Sequence, residues 1–502
     1  MKRLIQTDWK KFIPAVSKRS ALLLEMAALA FVIALHVSIA PQVAASKVLY
    51  LAGDTTRDAW RAVDFIRSGH FSHEFGAAYE SEYFALVFVP FLLIFGNTIL
   101  CLQMAALFMA LAAVVVLYMY VRRIYGLLAA LCLGSLFATA PPLLAHLAVF
   151  VETSLPLLIG IVMILATSKD PRVKCGSMAL AGLFTGFNVY FLFPFAVYLL
   201  SFPDELSIFR SPGAARERRC ASLCYLAGAA TILWKFARAV PFYGYFKFES
   251  WFQDFFWSNL NRWRHPGAIL SDLWTQWTWC AGSLSTYSRV RDPACMSWLV
   301  FFWVIAALGC LTARGRSRRM LVAYGAGLLA IALMQSTRGL GVRHLLALLP
   351  FQWLFMAPVI ARPGRNLGRV LLIMVVGLIT VAQYRLADGA AAMGEISGSK
   401  ETEDTEYIAR LVENQKDIHV NVVADDSNAF FSLKYLAPTA AISYSERSGP
   451  EERHGFIYYS RDRTDPVGEP ALRKKLLLSG NTAYDLAWLS SSGRRRQLSK
   501  SR

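Results

Sequence analysis

Acidic charge is scarce in this chain, and charge of either sign is thin. Its 502 residues hold 34 Asp and Glu against 52 Lys and Arg, and charged residues make up only 17%. A soluble globular protein of this length needs more charge to cover its surface. There is no Walker loop and no G-x-G-x-x-G, so nothing marks a phosphate cradle of the P-loop or dinucleotide type. There is no internal repeat, which excludes a solenoid. Of eight cysteines, Cys101, Cys132, Cys220, Cys224 and Cys310 fall in or beside apolar runs, without the spacing of a metal site.

Apolar sequence is what the chain does have. Hydrophobic residues are 56%, mean hydropathy is +0.41, and several apolar runs approach the length of a bilayer crossing. The chain therefore reads as a polytopic α-helical membrane protein. The net charge of +18 raises nucleic acid as a partner. The basic residues instead cluster in short loops between apolar runs, where topology determinants stand, and no nucleic acid is expected.

Topology follows from those loops. Lys2, Arg3, Lys10, Lys11, Lys18 and Arg19 precede the apolar run 21–40, which places the N-terminus in the cytoplasm. A signal peptide cleaved near Val43-Ala44-Ala45 is the competing reading, against which stand the long basic start and the full-length apolar run. The segment 83–95 is short for a span, so it reads as a re-entrant or interfacial helix, which keeps Arg122 and Arg123 inside. Residues 176–200 read as two short helices turning near Asn188, because one span would put Arg210, Arg216, Arg218 and Arg219 outside. The count is about 11 spans with the C-terminus outside, in an inner, plasma membrane. A long aromatic and basic outer loop covers 241–295. The membrane unit is 1–385. An outer, periplasmic α/β domain follows at 386–490, with a strand near 418–424, a helix at 428–435 and a second strand at 440–444. Residues 491–502 form a basic tail.

The stretch with most chemistry is 53–71, just after the first span. Trp60, Val63 and Ile66 recur at helical spacing while Arg57, Arg61, Asp64 and Arg67 take the other side, which predicts a helix lying in the interface with its apolar side towards lipid. Gly69 is placed to end it. Asp54 at its start has two readings, an N-cap or a carboxylate facing a bound substrate.

The order of the outer motifs resembles the polytopic glycosyltransferases of the GT-C fold. The likeness is greatest to the family 39 type, which includes protein O-mannosyltransferases, aminoarabinose transferases of lipid A and the RgtA/B/C/D-like group. Gly53-Asp54-Thr55-Thr56-Arg57 and Phe65-Ile66-Arg67-Ser68-Gly69 match the first outer loop of that family. Tyr79-Glu80-Ser81-Glu82 is similar to its aromatic-Glu-Lys-Pro motif, with Ser81 in place of the lysine. Glu152 resembles the acidic residue that opens a later span. The run Phe255 to Pro266, with Arg262 and Trp263, resembles the long-loop motif, although Asn259 stands where the aminoarabinose branch has a metal-binding His. Arg343-His344 and Pro350 resemble the start of a late span.

The resemblance implies transfer of a sugar from a polyprenyl-phosphate donor to lipid A, another glycan or a protein, with inversion and with membrane lipids as surroundings. Asp54 is then the general base and Glu152 a second catalytic carboxylate. Arg57, Arg61, Arg262, Arg338, Arg343 and His344 are the substrate-binding candidates, and Glu80 the candidate ligand of a divalent metal. A transporter or flippase of lipid-linked sugars, which should show charged or broken helices near mid-membrane, and a non-catalytic scaffold are the alternatives.

Cys280 and Cys295 stand apart from the other thiols, in one outer loop with 14 residues between them. An oxidising compartment favours their disulfide, which would contribute about 3 kcal/mol by loop closure. Mass spectrometry of non-reduced peptides should find them linked, and two free thiols in the mature protein would dismiss the bridge.

Overall fold

The computed structural model describes residues 18–46, 53–70, 82–145, 150–187, 191–201, 215–231, 261–282, 293–312, 315–334, 346–362 and 367–394. In the C-terminal part it describes 406, 409–410, 413, 419–424, 428–446, 455–460, 473–478 and 482–488. All statements below concern these residues.

The helices are α1 (Lys18–Ser46), α2 (Gly53–Ser68), α3 (Val89–Phe95, after a 3-10 turn over Glu82–Phe88), α4 (Ile99–Tyr125) and α5 (Leu127–Ala138). There follow α6 (Pro141–Ala145), α7 (Phe150–Ala166), α8 (Pro171–Phe187), α9 (Leu192–Ser201) and α10 (Ala215–Ala229). The last of the bundle are α11 (Pro266–Gly282), α12 (Pro293–Thr312), α13 (Arg316–Met334) and α14 (Leu367–Gly394). Three of them, over Arg19–Val43, Ile99–Tyr125 and Leu367–Asp388, are long and apolar enough to cross a membrane; several other apolar helices are shorter.

Polar contacts fix which ends lie together. Glu25 of α1 pairs with Arg122 at the end of α4, and Arg123 donates to the Thr167 carbonyl just after α7 at 3.3 Å. Arg316, opening α13, lies over the Tyr125 ring at 5.3 Å. These groups mark one end of the bundle, hereafter the basic end. An even number of crossings must then separate α1's start from Arg122, as the short 83–95 segment predicts. That segment is a 3-10 turn followed by seven α-helical residues, and it packs on α2 and α4. Glu25, the lone early charge of the first span, thus has its partner, and α1 is an integral wall of the bundle.

At the opposite end, His36 Nδ1 donates to the Ala138 carbonyl at 2.8 Å and Thr139 Oγ1 donates to Gln383 Oε1 at 2.8 Å. Groups held inside an apolar bundle need such partners, because no water competes for them. These bonds tie α1, α5 and α14 together, so the chain leaves the bundle after α14 at the end where α2 lies. Helix α14 continues to Gly394, so the domain boundary expected at 386 falls inside a helix.

Residues 176–200 form two helices, α8 and α9, as the charge pattern predicts, with 188–190 outside the described residues. Helix α11, by contrast, lies inside what reads as loop sequence at 241–295. The late span whose start Arg343-His344 and Pro350 resemble is also not one helix: 3-10 turns at Leu346–Leu348 and Leu354–Met356 alternate with short α turns at Leu349–Gln352 and Ala357–Ile360. Pro350 and Pro358 lack the N–H that a continuous helix requires. Within a bilayer, broken backbone survives only inside protein, and Leu346, Trp353, Phe355 and Ile360 are indeed buried.

Beyond the bundle, β1 (His419–Ala424), α15 (Asn428–Leu436) and β2 (Ala441–Glu446) form a parallel β-α-β unit, with His419 opposite Ala441. Strands β3 (Gly455–Ser460), β4 (Arg473–Leu478) and β5 (Thr482–Trp488) complete a mixed sheet in the order β2-β1-β3-β5-β4. The first strand, the helix and the second strand fall where the sequence predicts them; β3 to β5 go beyond that reading. The basic tail lies outside the described residues.

Close helix contact in the bundle depends on small residues, as expected where lipid gives no hydrophobic drive between helices. A Cβ on Gly182 of α8 would strike the Tyr225 carbonyl of α10, and one on Gly228 would strike the Ala179 carbonyl. Above this crossing Thr185 and Tyr225 share a hydrogen bond of 3.1 Å. Gly182→Leu should cost about 1–3 kcal/mol or more through forced separation of the two helices. Gly176→Leu, on the same helix but facing open space, should cost little. Thermal unfolding in detergent will check this, and equal midpoints for the two variants would contradict the packing.

Candidate functional site

Helix α2 is the centre of the α2 end. Residues 55–63 are buried: Thr55, Thr56, Ala59, Ala62 and Val63 join Arg57 at 8% exposed, Asp58 at 4% and Arg61 at 2%. Only from Asp64 onward does it emerge, with Ile66, Arg67 and Ser68 exposed. Gly69 ends it at φ +73°, where a Cβ would be strained.

At Trp60 and Val63 the apolar side is therefore buried in protein, contrary to the amphipathic expectation. Trp60 packs on Phe430 and Phe431 of α15, ring centroids 6.2 and 5.9 Å apart. The C-terminal unit covers Trp60 of that stripe and Val63 is buried with it, while Ile66 stays exposed. A second tie holds this roof: Tyr435 donates to the Thr98 carbonyl at 2.9 Å. Burial, then the neighbouring Cys101, pushes the Tyr435 phenol far above its usual pKa, so it stays a neutral donor. Thr98 itself caps α4, accepting from Cys101 N at 3.2 Å.

On the other side of α2, Asp58 Oδ1 accepts from Arg61 Nη1 at 3.1 Å and lies 3.5 Å from Arg57 Nε. Asp58 is not singled out from sequence, since it belongs to none of the motifs. Arg57 and Arg61 were singled out, and the structure brings them together on this carboxylate. The Arg61 Nε, also buried, has no hydrogen-bond partner. Asp54 lies in the first turn, on the same helical face as Arg57, Asp58 and Arg61. Gly53 and Asp54 are both helical, so Asp54 sits inside the helix rather than at the N-cap. Its side chain is outside the described residues.

Two other sequence candidates reach the same end of the bundle. Glu152 lies in the first turn of α7, whose far end is at the basic end, and α7 packs on α2; the Glu152 side chain is outside the described residues. Arg262, half-buried, lies on a turn leading into α11. Beside it Trp263 Nε1 donates to the Leu333 carbonyl at 2.7 Å, at the end of α13 remote from Arg316. Arg338, Arg343, His344 and Glu80 lie outside the described residues, as do the side chains of Cys280 and Cys295. Those two cysteines stand in the last turn of α11 and the first of α12, helices that pack together. Among the described residues no three His, Cys, Asp or Glu side chains converge as a metal site would require.

The chain superposes on ArnT from Cupriavidus metallidurans bound to undecaprenyl phosphate with a TM-score of 0.53 and 13% identity, covering 85% of this chain and 86% of that one. The fold is the GT-C fold of ArnT. The same ArnT in its apo state matches with a TM-score of 0.44 and 16% identity over 85% and 86% of the two chains. No protein-family model and no curated protein sequence matches the chain. With the GT-C fold, the chain is a polytopic helical membrane protein.

Breaking the Asp58 contacts tests the electrostatic core of the site. Asp58→Asn removes the carboxylate charge that Arg61 and Arg57 share, and removing one member of such a buried group costs about 3–5 kcal/mol. Thermal unfolding in detergent should show a large drop in midpoint, while Asp64→Asn, on the emerging half of the helix, should show almost none.

Proposed function

We propose that this protein is a membrane glycosyltransferase that moves a sugar from a polyprenyl-phosphate donor to a lipid, glycan or protein acceptor. The observation that carries this reading is the α2 face: Asp54, Arg57, Asp58 and Arg61 on one side of a helix roofed by the C-terminal unit, at one end of a GT-C bundle. The ArnT that shares this fold binds undecaprenyl phosphate, which supports that donor class. In this reading the α2 end is the outer face, the N-terminus and the basic end are cytoplasmic, and the spans number about 11.

Asp54 is the proposed base. It takes the proton of the acceptor hydroxyl as that oxygen bonds to the anomeric carbon. The bond from that carbon to the phosphate oxygen breaks, and the polyprenyl phosphate leaves with the electron pair. One displacement inverts the anomeric centre. A positioned base contributes roughly 10²–10⁴-fold, and cations near the departing phosphate contribute further. Arg262 and Arg343 are the proposed phosphate contacts, and Arg338 and His344 are further candidates for holding the substrate. Asp58 positions Arg57 and Arg61. Glu152 orients the acceptor, and a divalent cation on the donor, held by Glu80, belongs to the same proposal.

The broken segment 346–360 is the feature that a carrier of lipid-linked sugars would share. A carrier would line it with ionisable groups, and its sequence contains none.

Asp54→Asn separates base from structural carboxylate. Inside the first turn its negative charge favours the helix by about 0.3–1 kcal/mol, so the variant should express and unfold near wild type. Transfer in membranes supplied with donor, read by mass spectrometry of the acceptor, should fall by at least about 100-fold. Arg262→Ala should weaken donor binding as well as turnover, since a phosphate contact acts before and during the reaction. Transfer by Asp54→Asn within a few-fold of wild type would remove Asp54 from the chemistry.

A further inference from the structure

A groove of about 610 Å³ opens on the outside of the bundle, walled by α1, α5 and α14. That volume is in the range of sites that hold a small molecule. Its walls are held by the buried bonds already described, His36 to Ala138 and Thr139 to Gln383, so the groove is set by the fold rather than by loose side chains.

The groove is graded from apolar to charged. At one end are Phe31, Leu35, Ile373 and Val376. The hydroxyls along it are turned back into their own helices: Ser135 donates to the Leu131 carbonyl at 2.8 Å and Thr380 to the Val376 carbonyl at 2.9 Å. At mid-length the wall is thus almost without free polar groups. At the α2 end of the bundle, Tyr384, Arg385 and Asp388 line it on successive turns of α14. Arg385 and Asp388 are exposed, and among the described residues neither has an ion-pair or hydrogen-bond partner.

We propose that this groove is a binding site for a phospholipid with a zwitterionic, phosphate-plus-ammonium headgroup. The acyl chain lies along the apolar length. The Arg385 guanidinium takes the phosphate, for which its planar fork is suited, and Asp388, one turn on, takes the ammonium. An anionic lipid without an amine would satisfy Arg385 and leave Asp388 without a cation. A second copy of this chain is a poorer occupant, because two concave faces leave a void between them, and voids forfeit contact energy.

Gly377 gives a clean test. It lies on the groove wall, and a Cβ there meets nothing within 4 Å, so Gly377→Leu fills the groove without disturbing the helix. Native mass spectrometry of the full-length protein would be run with added phosphatidylethanolamine or phosphatidylglycerol of the same acyl chains. Wild type is expected to retain one phosphatidylethanolamine at least tenfold more tightly than phosphatidylglycerol. Arg385→Gln with Asp388→Asn should abolish that preference. Gly377→Leu should weaken retention of both lipids at an unchanged thermal midpoint. Equal retention of the two headgroups by wild type would overturn the proposal, as would wild-type retention by Gly377→Leu. So would a wild-type dimer that Gly377→Leu converts to monomer.

Discussion

Two guanidinium groups and one carboxylate lie almost wholly out of water in the first half of α2, and much of the surrounding structure answers that burden. Removing a charge from water is costly, and the cost is met only where a partner stands in hydrogen-bond geometry. Asp58 is that partner for Arg61, with Arg57 close by. The helix can keep these groups dry because it is enclosed from several sides, by the 82–95 segment, by α7 and by the C-terminal α15. Each enclosing element comes from a different part of the chain. The Trp60 contact with Phe430 and Phe431 does two things at once: it buries a large aromatic surface and brings a distant unit down over the charged helix.

The bundle divides its polar groups by end. At the basic end, Glu25 with Arg122 and Arg316 over Tyr125 are structural: they pair helices near the surface, where arginines also set orientation in the bilayer. At the α2 end, the cross-ties between elements described above, the His36, Thr139 and Tyr435 bonds, are neutral. Neutral cross-ties can hold helix ends in register without adding to the field near Asp54. Between the two ends, packing is a matter of small residues and of the buried, broken segment 346–360. That segment carries no ionisable group, which fits a scaffold supporting a site at the bundle's end rather than a path through its middle.

Much of this was legible in the sequence where the signal is local. Hydrophobic runs, basic loops and the shortness of 83–95 are properties of adjacent residues, and they predicted the helical class, the pairing of ends and the division of 176–200 into two helices. The strand at 419–424 and the helix after it were visible for the same reason. Asp54, Glu152 and Arg262 were singled out by motif order, and their backbones do lie at one end of the bundle. Helix α11 was hidden because its Trp-rich sequence in a basic stretch reads as loop, and the break at 346–360 because its apolar run is long enough for a span.

What the sequence by itself determined was which segments are apolar, where they end, and which side of each basic loop the neighbouring helices must share. These are transfer free energies of single segments, summed locally. Only the tertiary structure decided what covers the amphipathic helix α2. An exposed apolar stripe is equally well satisfied by lipid or by another part of the protein, and periodicity cannot tell the two apart. The choice fell to α15, some 370 residues further along the chain, which packs on Trp60, while Asp58 on the other side of the helix is the buried carboxylate that holds Arg61 and Arg57.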